Sequence, residues 1–152
     1  MAAYGYYFLT VLCLTGSLSC AEAVKHDPEL AARRAVEFAR VALVQQNVDK
    51  AYELLSPSTK RYVPREKFKE TLSRLNPSGR PSRIMAIEYE PMAGEKAIYI
   101  YVVGQDAGEQ YAYTVTMEGT ASTDYRVSKI TRGTSSYLPS TAEKKRFTQP
   151  IT

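Results

Sequence analysis

The chain has few of the side chains that form nucleophile–base pairs or hold metal ions. Its 152 residues include two cysteines, Cys13 and Cys20, one histidine, His26, and no tryptophan. Because these three residues precede the first predicted helix, the rest of the chain has no histidine base for a nucleophile and no nitrogen or sulfur ligand for zinc. The sequence therefore predicts no metal site and no cofactor, and we expect His26 to be a solvated linker residue.

The N-terminal segment also lacks acidic and basic side chains. Residues 6–18 form an apolar run that is shorter than the roughly 20 residues needed to span a bilayer as a helix. Its length is typical of the hydrophobic region of an export signal. We therefore predict that residues 1–19 are a signal peptide, that residues 20–27 are a linker, and that the protein is exported to the cell envelope.

Two processing patterns overlap at the end of this signal. Residues 16–19 followed by Cys20 resemble the lipobox of bacterial lipoproteins, which predicts a lipid on Cys20 and a membrane anchor. Residues 21–23 have the A-x-A pattern of ordinary signal peptidase, which predicts a soluble periplasmic or secreted product beginning at Val24. An uncleaved anchor is the third interpretation. Either cleavage removes Cys13, so the mature domain has no internal disulfide.

The overall charge is mildly basic, with a formal net charge of +4. A balance of this size favours anionic surfaces only weakly. Because export separates the protein from nucleic acid, we expect its partners to be the membrane, a small ligand or an envelope protein, and no nucleic acid.

Helix signals dominate the first half of the mature chain. Asp27 can cap a helix whose first position is Pro28, and apolar residues then recur at helical spacing. The residues 56–58, Ser-Pro-Ser, end the second helix, and Pro64 starts the third. Three helices are predicted, over residues 28–46, 48–55 and 64–75.

The second half changes to the twofold periodicity of strands, separated by short turn-forming segments. Four strands in an antiparallel meander are predicted, over residues 84–90, 96–104, 109–118 and 125–132. Helices followed by strands indicate an α+β domain with the helices on one face of the sheet. Residues 133–152 lose periodicity, which predicts a partly disordered tail in which the basic cluster at 144–147 is solvated.

Three segments carry a resemblance to a known family. The segment 47–56 (NVDKAYELLS), the helix containing Phe68 and the strand 124–130 (DYRVSKI) are similar to the NTF2-like superfamily of cystatin-like, cone-shaped domains. The resemblance spans residues 28–132. It implies three N-terminal helices packed on a curved four-stranded antiparallel sheet, with a pocket that is enzymatic, ligand-binding or filled. It also implies pairing of two copies through their sheets.

Tyrosines are concentrated on two neighbouring strands. Tyr99 and Tyr101 lie at spacing two, as do Tyr111 and Tyr113, so each pair shares a face, and the two pairs are candidates for cross-strand neighbours. Together they would form a pocket lining or a stacking platform for a small ligand. The alternative is that tyrosine, which favours strands, fills a half-wet sheet.

Carboxylates offer the remaining catalytic chemistry. Glu88 and Glu90 share one face of their strand, opposite Met85, Ile87 and Tyr89, which are better core candidates. We interpret the two glutamates as part of a solvated face. The alternative is a functional acid pair.

The strand over residues 97–103 is apolar on both faces, which predicts cover on both. The helices supply one layer. The other is expected from a second copy, giving a homodimer through the sheet, or from the C-terminal segment at residues 137–139.

These features favour an exported, lipid-anchored, non-enzymatic domain that binds a small ligand or partner at the bacterial envelope. Two alternatives remain. One is a cofactor-free pocket enzyme, similar to an isomerase or dehydratase, that uses a carboxylate and a tyrosine. The other is an assembly scaffold in an envelope complex.

Overall fold

The computed structural model describes residues 24–75, 79–133 and 143–152. The predicted signal peptide and Cys20 lie outside the described residues. The fold is α+β, as predicted, and within the described ranges no helix is long and apolar enough to cross a membrane. The elements are α1 Pro28–Ala39, continued by a π-helical turn at Arg40–Val44, α2 Val48–Glu53, α3 Pro57–Tyr62, α4 Arg65–Leu75, β1 Arg83–Pro91, β2 Ala97–Asp106, β3 Glu109–Glu118, β4 Arg126–Arg132 and β5 Lys145–Ile151.

The strands form one antiparallel sheet in the order β4-β3-β2-β1-β5. The meander of β1 to β4 is confirmed, but the described sheet has five strands rather than four. In β5 the Phe147 ring packs on Tyr89, with ring centroids 4.9 Å apart, and Ile151 lies opposite Ala86. Residues 145–151 of the predicted tail thus form a fifth strand, which was not predicted from the sequence. Phe147 and Ile151 are the apolar contacts that attach a mostly polar strand to the sheet. Because β5 is an edge strand, it tolerates Pro150, which has no N–H to donate.

The segment 56–58 starts a helix as well as ending one. The Ser56 Oγ accepts a hydrogen bond from the Thr59 N–H at 3.2 Å, and Pro57 occupies the first helical turn of α3. The described residues thus contain four α-helices, and the prediction of three is wrong. A proline that cannot continue α2 is well suited to the first turn of α3.

Helix α1 covers one side of the sheet, which we call the helix face. The predicted cap is present, because the Asp27 carboxylate accepts a hydrogen bond from the Leu30 N–H at 2.9 Å. Alternate residues of β2 and β3 pack beneath α1 as cross-strand partners in one core cluster. These pairs are Ile98 with Met117, Ile100 with Val115, and Val102 with Tyr113, all at most 1 % exposed.

A β-bulge in β1 exchanges the two faces of that strand. The register against β2 shifts between Ala86 and Glu88, so that an extra residue, Ile87, lies between two stretches of opposite parity. The interpretation of Met85, Ile87 and Tyr89 as one core face is therefore wrong. Before the bulge, Ala86 faces the helices, and after it Tyr89 does. Met85 lies on the opposite side of the sheet, which we call the outer face.

The first described residues are fixed to the turns at one end of the sheet. The His26 ring places Nδ1 3.3 Å from the Tyr125 hydroxyl and Nε2 3.1 Å from the Glu95 carbonyl oxygen. The Ala121 N–H donates to the Lys25 carbonyl oxygen at 2.9 Å. We call these contacts the N-terminal clamp. The expectation of a solvated His26 is wrong, because its ring contacts the hydroxyl of the buried Tyr125 and the Glu95 carbonyl oxygen.

Candidate functional site

A cleft of about 430 Å³ lies between helices α3 and α4 and the edge strand β4. Its apolar floor combines side chains from the α2–α3 connection, the α3–α4 connection, α4 and β4. Except for the half-buried Val63, these side chains are buried. The floor residues are Leu55, Val63, Phe68, Leu75 and Ile130.

Tyr52 positions the helical side of the cleft. Its ring packs on Phe68 with centroids 5.8 Å apart, and its hydroxyl donates to the Val63 carbonyl oxygen at 3.0 Å. On the strand side, the Thr59 hydroxyl donates to the Ser128 carbonyl oxygen at 3.0 Å. These contacts join α3 to β4 at one end of the cleft, and the remainder of the cleft lies between α4 and the end of β4.

The polar part of the lining consists of hydroxyl and basic groups. The hydroxyl side chains are Thr59, Thr71, Ser128 and Thr131. Arg74, Lys129 and Arg132 supply three positive charges, and no carboxylate is among the described lining residues. An anionic group can therefore lie among the basic side chains while its apolar part contacts the floor.

Two of these basic side chains are held by neighbours. The Arg132 Nη1 donates to the Leu75 carbonyl oxygen at 3.2 Å, and its guanidinium carbon lies 5.7 Å from the centroid of the Tyr111 ring. Arg74 forms an ion pair with Glu70, one turn earlier on α4, and this pair is exposed. Since exposed pairs contribute little, Arg74 can turn to an incoming anion at small cost.

The predicted tyrosine platform is not formed. The cross-strand partners are Thr116 and Thr114 for Tyr99 and Tyr101, and Gly104 and Val102 for Tyr111 and Tyr113. Each pair shares a face, but the first lies on the outer face and the second on the helix face. The expectation that the pairs are neighbours is wrong, because every odd-numbered residue of β2 lies opposite an even-numbered residue of β3, whereas all four tyrosines are odd-numbered. None of the four lines the cleft.

The outer face contains a buried acid–tyrosine pair. The Tyr101 hydroxyl donates to the Glu90 carboxylate at 2.5 Å, with Tyr101 fully buried and Glu90 5 % exposed. Lys144 Nζ lies 3.8 Å from the centroid of the Tyr101 ring and 3.9 Å from Glu88 Oε2, and Arg146 donates to Glu88 Oε1 at 2.9 Å. The interpretation of a solvated face is therefore wrong for Glu90.

Tyr111 makes a second acid–tyrosine contact, on the helix face. Its hydroxyl donates to Glu109 Oε2 at 2.6 Å. This hydrogen bond to a carboxylate, with smaller contributions from burial and from the negative charges of Glu109 and Asp106, raises the pKa of Tyr111 to about 12. Tyr111 is therefore a protonated hydrogen-bond donor at neutral pH and contributes no nucleophile.

The residues that line the cleft carry no local sequence signal of a site. Arg74 and Arg132 are 58 positions apart in the numbering, and only the docking of α4 beside the end of β4 brings them to one cleft. Candidate outer cover at residues 137–139 lies outside the described residues. Within the described part of the chain, no three His, Cys, Asp or Glu side chains are grouped closely enough to hold a metal ion.

Comparison with known proteins adds no relative from which a role could be transferred. No family model, no curated protein and no solved structure matches this chain. The feature of this chain that indicates a function is therefore the cleft, with its basic side chains over an apolar floor.

Proposed function

We propose that this protein is an exported, lipid-anchored, non-enzymatic binding domain of the bacterial envelope, and that its cleft binds an anionic amphiphilic ligand. The observation that carries the binding role is the lining of the cleft, in which Arg74, Lys129 and Arg132 border a buried apolar floor. The uncharged apolar run before Cys20 supports export and anchoring.

The NTF2-like assignment is part of the same proposal. It is supported by the element order, with helices first, then an antiparallel meander, and by α1 packed on one face of the sheet. Element order supports a fold more strongly than an activity, because unrelated functions share a fold.

Binding is favoured over catalysis because of where the carboxylates lie. The pocket enzyme considered above requires a carboxylate directed into a cavity beside a tyrosine. The described lining of the cleft contains neither a carboxylate nor a tyrosine. The Glu90–Tyr101 pair is on the outer face, and its two groups hydrogen-bond to each other beneath Lys144.

A calorimetric titration tests the proposed ligand class. The mature protein is titrated with dodecanoate and with the neutral dodecanol, which share an apolar chain. We expect dodecanoate to bind more tightly, and we expect the double variant R74Q/K129Q to weaken dodecanoate by about tenfold while leaving dodecanol unchanged. K67Q, an exposed change on the same helix α4 but outside the cleft, is the matched control.

Two results would contradict the proposal: that neither dodecanoate nor dodecanol binds, or that R74Q/K129Q weakens the binding of both compounds equally. The first result would show that the cleft does not accept amphiphiles. The second would show that the two basic side chains do not recognise the charge.

A further inference from the structure

We propose that the natural ligand of the cleft is an extended acidic peptide segment of a partner protein, which adds to the open edge of β4 as a further strand. This inference rests on the proposed binding role of the cleft and specifies its ligand. It is carried by the direction of the main-chain groups of β4, by the point at which cover of this edge ends, and by the charge around it.

The register of β4 determines which main-chain groups are directed into the cleft. The Gly133 N–H donates to the Ala112 carbonyl oxygen at 2.7 Å, which fixes the hydrogen-bonded positions between β3 and β4. In an antiparallel pair such positions alternate, so Thr131 and Lys129 bond to β3. The N–H and C=O groups of Ile130 and Arg132 therefore point away from β3, toward the cleft that these residues line.

Cover of this edge ends where the cleft begins. The Val127 N–H donates to the Leu54 carbonyl oxygen at 3.1 Å, and the Ser56 N–H donates to the Val127 carbonyl oxygen at 2.8 Å. The Ser128 carbonyl oxygen accepts from the Thr59 hydroxyl. Beyond Ser128, no strand among the described residues pairs with this side of β4. An uncovered sheet edge is a template for a further strand.

The side chains along this edge specify an alternating ligand. Ile130 and Arg132 are cross-strand partners of Val115 and Tyr113 and lie on the helix face, whereas Lys129 and Thr131 lie on the outer face. Neighbouring residues of an added strand share these faces. Every second side chain of the peptide would therefore contact the apolar floor, and the intervening ones would pass Lys129.

The charge around the cleft favours an acidic segment. Helices α3 and α4 and the residues between them contain six basic and two acidic residues. With Lys129 and Arg132 on the strand side, positive charge borders both walls of the cleft. An alternating apolar–acidic peptide satisfies the main-chain groups and the floor and places its carboxylates beside Lys129 on the outer face, whereas a simple acyl chain leaves the groups of Ile130 and Arg132 without main-chain partners.

Fluorescence anisotropy with synthetic peptides tests the inference. The mature protein is titrated into a fluorescein-labelled seven-residue peptide of alternating valine and glutamate. One comparison peptide carries N-methyl groups on every second residue, so that it cannot donate main-chain hydrogen bonds along one edge. A second has lysine in place of glutamate. We expect binding of the acidic peptide and a loss of about tenfold or more for the methylated and the lysine peptides.

A charge reversal separates recognition from damage to the fold. K129E should weaken the acidic peptide about fivefold and strengthen the lysine peptide, whereas K67E on the exposed side of α4 should change neither affinity by more than about twofold. An unfolded variant would lose both peptides, so the opposite changes are specific to a charge contact.

The outcomes distinguish the two proposals. Binding of dodecanoate without binding of the acidic peptide would overturn strand addition and leave the proposed binding role in place. Equal binding of the methylated and unmethylated peptides would also overturn strand addition. Failure of dodecanoate and of every peptide to bind would overturn both.

Discussion

Replacing Tyr101 by phenylalanine should destabilise the protein, because it removes the hydroxyl that serves the buried Glu90 carboxylate. The donor–acceptor distance is 2.5 Å, Tyr101 is fully buried, and Glu90 is 5 % exposed. A hydrogen bond to a charged group contributes about 1.5 to 3 kcal/mol to stability. Because a buried acceptor without its donor is not solvated by water instead, removing the donor costs most of that contribution. The aromatic ring remains in Y101F, so its packing and its contact with Lys144 are retained. We therefore expect a loss of about 2 kcal/mol in the free energy of unfolding.

Tyr99 provides the matched control on the same face. It is 6 % exposed, and its hydroxyl has no hydrogen bond within the described residues. Y99F should therefore change the free energy of unfolding by less than about 0.5 kcal/mol. Urea denaturation followed by circular dichroism measures both variants, and thermal melts should show a fall of about 8 °C for Y101F in a domain of this length.

A double-mutant cycle with Glu90 isolates the pairwise contribution. If the hydroxyl acts through the carboxylate, Y101F should cost little in an E90Q background, and the coupling energy should be about 1 to 2 kcal/mol. Equal losses for Y101F and Y99F, or additive effects of Y101F and E90Q, would refute the hydrogen-bond argument and leave general packing as the cause.

Three further measurements test other parts of the molecule. Spectrophotometric titration should show Tyr111 ionising near pH 12; because its folded pKa exceeds the ordinary value of 10.0, stability should fall between pH 10 and 12, and Y111F should make that decline smaller. Burial is the largest single contribution and opposes ionisation of Asp124, but the hydrogen bonds from Arg34 at 2.9 Å and from the Tyr125 N–H, together with the positive charges of Arg34 and Arg126, outweigh it and lower the pKa below 3.8. Its stabilisation is therefore present above pH 3.8 and lost as the pH falls through the folded pKa, so D124N should flatten the acid limb of the stability curve, and an unchanged limb would contradict this. The intact mass of the protein from membranes should include a diacylglycerol on Cys20; a bare terminus would end the lipoprotein proposal.

The alternation of apolar residues was sufficient to predict β1 to β4 and their antiparallel order. It failed within β1, because one extra residue at Ile87 reverses which side chains face the helices. The sequence does not show the bulge, because successive residues before it are apolar and either alternate set could face the helices. Glu90 does lie on the predicted face, opposite Tyr89, but the alternation does not show that this face is covered, and the structure buries Glu90 against Tyr101.

The cleft could not be predicted because it depends on tertiary packing. Its basic residues lie on α4 and β4, and α4 is set in place by contacts such as that of the Tyr52 ring with Phe68. Strand β5 was missed for a related reason. Its apolar side chains, Phe147 and Ile151, are too few to show alternation, and they become informative only beside Tyr89 and Ala86.

The N-terminal clamp sets how the domain would be oriented above a membrane. Four residues lie between Cys20 and Lys25, so a fully extended link of five residue steps spans at most about 18 Å. A lipid on Cys20 would therefore keep the turn around Ala121 close to the headgroups, with Lys25 and Lys96 beside it. Strand β4 leads away from that turn toward Arg132, so the open end of the cleft would face the aqueous compartment, where a protein partner could reach it without entering the lipid.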